Sequence, residues 1–138
     1  MALARFLVDT SAIVRYANPK VAARLDDLTM AAQAVTCGVV ELQLLGSVLD
    51  VAIRTRVVAL RAVAFEVLET IGTDLQRALE VQTLLAERGE RHVAWPALVI
   101  AAVSERHAVT VLHCDPHYDV IGKVTGQSVE WVVSSDQT

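Results

Sequence analysis

Residues 3–8 form a nearly continuous apolar run that stops at an acid, Asp9. A strand with apolar side chains on both faces must be covered on both faces, which demands helices above and below a sheet. Further short strand candidates follow at residues 34–37, 65–68, 109–113 and 128–133. Helix signals fill the gaps. Asn18-Pro19 is a cap with proline at the first helical position, opening a helix through about Leu28. Gly38 opens an apolar stretch over 39–48, and Asp50 can cap another over 51–63. Thr73 and Gln76 have capping-box spacing before a helix that should stop at Gly89. Pro96 begins a helix through about His107, and Asp115-Pro116 caps a short one. Strands alternating with helices predict an α/β fold: a short, mainly parallel sheet flanked by helices on both faces.

The chain has 138 residues, one domain's worth, and residues 1–138 are expected to form a single domain. With 54% hydrophobic and 20% charged residues and a mean hydropathy of +0.44, it can build a real core. Lys and Arg number 12 against 16 acids, giving a net charge of −4. That excludes a general electropositive shell for duplex DNA and leaves room for a local basic patch. No apolar run approaches the roughly 20 residues of a bilayer span, and the start lacks the charged n-region and long h-region of a signal peptide. Cys37 and Cys114 have neither CxxC spacing nor a zinc pattern. They are read as reduced core thiols of a cytoplasmic protein without membrane contact.

Ligands of parallel α/β sheets bind beyond the carboxyl ends of the strands, so those residues carry the functional information. Asp9 follows the first strand, Glu41 lies in the first turn after the second, and Asp115 follows the strand over 109–113, with Asp119 one turn beyond. Three strands thus deliver carboxylates toward one sheet edge. Such a set suits a hard divalent cation, which prefers oxygen ligands. Each acid can also serve a helix: Asp9, Thr10 or Ser11 as a cap, Asp115 before Pro116 as a cap, and Glu41 as a partner of the helix dipole.

Four segments in order sharpen this picture. Leu7-Val8-Asp9-Thr10-Ser11-Ala12 resembles the opening signature of the PIN domain, in particular of the VapC toxins of bacterial toxin–antitoxin pairs. Val39-Val40-Glu41-Leu42 resembles the second signature, and Pro96-Ala97-Leu98-Val99-Ile100-Ala101-Ala102 the third. Leu112-His113-Cys114-Asp115-Pro116-His117-Tyr118-Asp119 resembles the fourth, with Tyr118 where that family often has Phe. The resemblance implies a PIN fold, a Mg²⁺- or Mn²⁺-dependent endoribonuclease, a cognate antitoxin and a homodimer. It implies Asp9, Glu41 and Asp115 as catalytic residues. Asp9 and Asp115 would be metal ligands, supported by Thr10, Ser11 and Asp119.

One position departs from the pattern. Where the third signature carries an Asp at the start of its helix, this sequence has Ala97. A methyl group cannot ligate a cation, and even outer-shell changes cost about 10–100-fold in metal affinity or activity. The resemblance therefore implies an impaired chain, through deliberate inactivation or as a naturally weak relative. Otherwise the intact signatures imply attack of a metal-activated water on a phosphodiester. Arg15, near the Asp9 strand end, is the candidate contact for RNA or for an antitoxin carboxylate. Arg54, Arg56 and Arg61, and Arg88, Arg91 and His92, could hold phosphates or form solvated helix faces. His113 and His117 bracket Asp115 without the geometry of a zinc pair. Trp95 and Trp131 read as core or interface residues. The apolar helices over 39–48 and 51–63 are expected to form a groove for an antitoxin helix or tail. Two other readings remain: a PIN-fold protein that binds RNA or antitoxin without cutting, and a phosphotransfer receiver domain. The second calls for paired acids after the first strand and a Lys at a later strand end, whereas here Thr10-Ser11 follow Asp9 and Lys123 lies in a predicted helix.

Overall fold

A computed structural model describes residues 4–90 and 92–137 of the chain. Five strands form one sheet: β1 (Phe6–Val8), β2 (Ala34–Cys37), β3 (Glu66–Leu68), β4 (Thr110–His113) and β5 (Val129–Trp131). Their spatial order is β3-β2-β1-β4-β5 and every pairing is parallel. The helices are α1 (Thr10–Ile13), α2 (Pro19–Met30), α3 (Gly38–Leu45), α4 (Val51–Ala64), α5 (Gly72–Glu87), α6 (Trp95–Arg106) and α7 (His117–Thr125). A single 3₁₀ turn, Ser135–Gln137, follows β5.

The sheet's period of two sorts the core. Leu7, Val35 and Val111 face a layer built from α3, α5, α6 and α7, while Val8, Ala34 and Leu112 face Ala12, Val21 and Leu25 of α1 and α2. The two-sided burial predicted from the apolar run is thus met by two layers. Register is fixed by the same pattern: Leu7 pairs with Val35 on one side and Val111 on the other, so both layers stay apolar.

Strand order reverses direction at β1. The chain first builds outward through β2 and β3, then returns to lay β4 and β5 on the other side. The residues after β1 and β4 therefore flank a crevice at a topological switch point, where such sheets bind ligands.

Several element boundaries differ from the sequence expectation. The first strand begins at Phe6, and Leu3, the proposed start, lies outside the described residues. The short helix α1 directly follows Asp9, whose side chain accepts from the Ser11 amide, so the capping role considered for that acid is met. α3 ends at Leu45, short of Val48, with Gly46 as its C-cap, and Arg54 of α4 donates to the Leu45 carbonyl at 2.7 Å. The Thr73/Gln76 capping box does not form. Instead Asp74, at the third helical position, accepts from the Ile71 amide at 2.9 Å and holds Arg106 of α6 through two bonds of 2.8 and 3.0 Å. An acid that closes the helix start and anchors a guanidinium outcompetes a box that serves the start alone. α5 ends as predicted, with Gly89 at φ +80° accommodating the turn.

Candidate active site

Asp9 is the most constrained of the strand-end acids. Its amide donates to the Leu112 carbonyl at 2.9 Å, fixing the end of β1 against β4. The carboxylate is buried, at 5% exposure. Oδ2 accepts from the Ser11 amide at 2.9 Å and the Ser11 hydroxyl at 2.6 Å, and Oδ1 accepts from the Tyr118 hydroxyl at 2.7 Å. Ser11 Oγ also accepts the Cys114 amide at 2.9 Å, so one serine locks the loop after β1 to the loop after β4. Thr10 turns the other way and donates to Gln43 of α3 at 2.8 Å.

Asp115 is not the cap of α7, whose N-cap is Pro116; it stands one residue before it and accepts from the His117 amide at 2.9 Å, with the His117 ring Nδ1 at 3.2 Å from the same oxygen. Its main-chain oxygen receives the Tyr118 amide at 3.1 Å. Tyr118 therefore links the two acids, through its hydroxyl to Asp9 and its amide to Asp115. Burial, followed by the charge and hydrogen bond of Asp9, pushes the Tyr118 phenol well above its ordinary range, so it stays a donor.

Glu41 has a separate cation. Arg61 of α4 grips it with Nε to Oε1 at 2.6 Å and Nη2 to Oε2 at 3.0 Å, while the Thr36 hydroxyl donates at 2.6 Å. Burial raises the Glu41 carboxyl, but the bonds from Arg61 and Thr36 and the Arg61 charge together hold it below the ordinary carboxylate range. The guanidinium also lies over the Phe65 ring, 4.8 Å from its centroid. Arg61, expected to hold phosphate or face solvent, is thus an internal partner.

Asp119 turns toward β5, accepting from the Trp131 ring N–H at 2.9 Å, with His113 Nε2 at 3.6 Å. His113 is fully buried between the Tyr118 and Trp131 rings, and its Nδ1 accepts the Asp115 amide at 3.1 Å. Burial lowers its pKa against the opposing pull of Asp119, Asp9 and Asp115, so the ring is a neutral core histidine. Arg15 is exposed and donates to the Ser11 carbonyl at 2.7 Å. Arg54 is committed to α3, Arg56 remains exposed, and Arg91 lies outside the described residues. Trp131 is half-buried, whereas Trp95 is 63% exposed and so is no core residue.

Position 97 is the third residue of α6, buried in the same apolar cluster as Val39 and Val40 of α3. The cleft between α1, α2, β2 and α4 is lined by Val8, Ile13, Tyr16, Leu25, Phe65 and Arg61 among others, and neither Asp9, Glu41 nor Asp115 borders it. Among the described residues, no three His, Cys, Asp or Glu side chains are grouped to hold a metal ion. Both Asp9 oxygens carry donors, Glu41 carries Arg61, and residue 97 is a methyl. As it stands, this set does not fit a divalent-cation centre.

Comparison with known proteins places this geometry. Residues 6–124 match the PIN domain. The ribonuclease VapC51 of Mycobacterium tuberculosis is 35% identical over 129 residues, covering 94% of this chain and 93% of that protein. The chain belongs to the VapC branch of the PIN domain family. The ribonuclease VapC21 of the same organism is 36% identical over 131 residues, covering 94% of this chain and 95% of that protein. The fold matches DNA-bound VapBC from Salmonella typhimurium with a TM-score of 0.74 at 17% identity, over 95% of this chain and 100% of that one. It matches VapBC2 from Rickettsia felis with a TM-score of 0.72 at 14% identity, over 91% and 97%. Membership of this PIN branch leaves the receiver reading without support.

The sequence reading missed two contacts of this PIN domain, Arg61 on Glu41 and Tyr118 on Asp9. Arg54, Val57 and Arg61 form the inward stripe of α4, three and four residues apart, but two of the three are arginines, so apolar periodicity does not mark the stripe in the sequence. A tyrosine in an apolar segment needs a partner for its hydroxyl, and Asp9 is the carboxylate within reach.

Proposed function

We propose that this chain is the toxin member of a toxin–antitoxin pair, an endoribonuclease by descent whose Mg²⁺ or Mn²⁺ site is one acid short at Ala97. The observation that carries the proposal is that Ser11 and Tyr118 tie the loop after β1, which bears Asp9, to the loop after β4, which bears Asp115, across the strand-order switch, in a chain related to named ribonucleases. With an acid at residue 97, Asp9 and Asp115 would complete an oxygen set of the kind a hard cation prefers. Arg15 and Arg56, both exposed, are the proposed phosphate contacts.

The antitoxin is proposed to lie along α4 and the apolar cleft beside it. No α4 residue is buried, and Ile53, Leu60 and Val63 are 53%, 69% and 89% exposed. The related folds include VapBC toxin–antitoxin complexes. The groove expected from both helices shrinks to α4, since Val39, Val40 and Leu45 of α3 enter the core. Two buried unpaired thiols, Cys37 and Cys114, suit a cytoplasmic setting, and homodimerisation stays part of the proposal.

The test is side-by-side RNA cleavage in Mg²⁺ or Mn²⁺ by this chain and by Ala97→Asp. Cleavage by the variant alone supports the proposal, and equal inactivity contradicts it. The methyl at 97 also favours a second reading, a PIN-fold protein that holds antitoxin or RNA without cutting. That reading predicts tight binding and an inactive Ala97→Asp.

A further inference from the structure

We propose that the Tyr118 hydroxyl competes with divalent cations for Asp9 and weakens their binding, so that Ala97 is only one of two obstacles at this edge. The inference rests on the nuclease reading above and deepens it. A carboxylate offers roughly four acceptor positions. On Asp9, Oδ2 is saturated by the Ser11 amide and hydroxyl, at 2.9 and 2.6 Å. Those bonds cannot be yielded cheaply, because the amide belongs to the first turn of α1 and the hydroxyl is pinned by the Cys114 amide at 2.9 Å. Oδ1 is therefore the oxygen with room for an ion, and the phenol sits on it at 2.7 Å.

The phenol is itself held in place. Tyr118 is 1% exposed and its ring lies 5.1 Å from the His113 ring. A buried hydroxyl that loses its acceptor costs about 1–3 kcal/mol, so an entering ion must either pay that penalty or share Oδ1 with a positive O–H end pointing at the same lone pairs. Ser11 and Tyr118 together thus leave Asp9 a single open acceptor position, on Oδ1 beside the phenol, and make it a structural knot between the ends of β1 and β4. Restoring an acid at 97 adds a ligand but leaves the knot tied.

The experiment measures Mn²⁺ binding by electron paramagnetic resonance on the whole chain carrying Ala97→Asp, with and without Tyr118→Phe, alongside thermal melts that establish folding. Tyr118→Phe keeps the ring, and Tyr118→Met serves as a second hydroxyl-free variant if the first is unfolded at the assay temperature. The expected result is at least about tenfold tighter Mn²⁺ binding when the hydroxyl is removed, the scale of effects from groups around metal ligands. If Ala97→Asp binds Mn²⁺ and removing the hydroxyl leaves that affinity unchanged or weaker, the competition at Asp9 is overturned while the nuclease reading stands. If no folded variant binds Mn²⁺, the cation site and this inference both fall.

Discussion

In α6, eight successive residues from Ala97 to Ser104 are buried, whereas α4, 14 residues against 12, buries none. Both segments are rich in Val, Ala, Leu and Ile. The difference lies in their neighbours. α6 packs against α3, α5, α7 and β4, so every side of it finds apolar surface. α4 meets the rest of the chain through the narrow stripe of Arg54, Val57 and Arg61, and two of those contacts are guanidinium groups reaching Leu45 and Glu41. Apolar content sets what a helix can bury, and topology decides what it does bury. The surplus left on α4 is a face suited to another chain.

Substitutions that remove packing should separate the two helices most sharply. Ile100→Ala, at a fully buried site of α6, is expected to cost about 2–5 kcal/mol in denaturant unfolding. Loss of under about 1 kcal/mol would mean that α6 is not the packed centre described here. Arg61→Met removes the guanidinium tie between α4 and Glu41 and leaves the half-buried Glu41 with the Thr36 hydroxyl as its side-chain partner among the described residues. A loss of about 1–3 kcal/mol is expected, since a half-buried charge is left without its cation.

Acid titration sharpens the same contrast. Glu41 has a folded pKa below its ordinary value, and so does Asp74, held down first by its bond to Arg106. Such groups add stability above their unfolded pKa, near 4 for carboxylic acids, and lose it as pH falls through the folded value. Urea midpoints should therefore decline as pH drops below about 4, and Arg61→Met should flatten the Glu41 share of that decline. An unchanged pH profile in the variant would detach Glu41 from acid stability.

The smallest stability effect is expected on the open face of α4. Leu60→Ala and Val63→Ala should each stay within about 0.5 kcal/mol of the parent. The same changes should weaken antitoxin capture, measured by calorimetry with the cognate partner. Unaltered affinity would move the docking face elsewhere.

The fold was readable because two-sided apolar strands and capped helices repeat along the chain, and each strand recurs within a few residues of its expected place. Asp9, Glu41 and Asp115 stand out in the sequence as candidates because an acid directly after a buried strand, or in the first turn beyond it, is conspicuous. Their partners were not. Arg61 reaches Glu41 across 20 residues and Tyr118 reaches Asp9 across 109, so neither contact follows from local pattern. Nor does apolar periodicity say that α3 enters the core while α4 stays outside, because that depends on which layer has room.

The most direct measurement of the central claim is an anomalous-difference map from crystals of Ala97→Asp soaked in Mn²⁺. One peak bounded by the carboxylates of Asp9, residue 97 and Asp115 is the predicted result. A bound ion held elsewhere, with residue 97 turned away from Asp9 and Asp115, would contradict it.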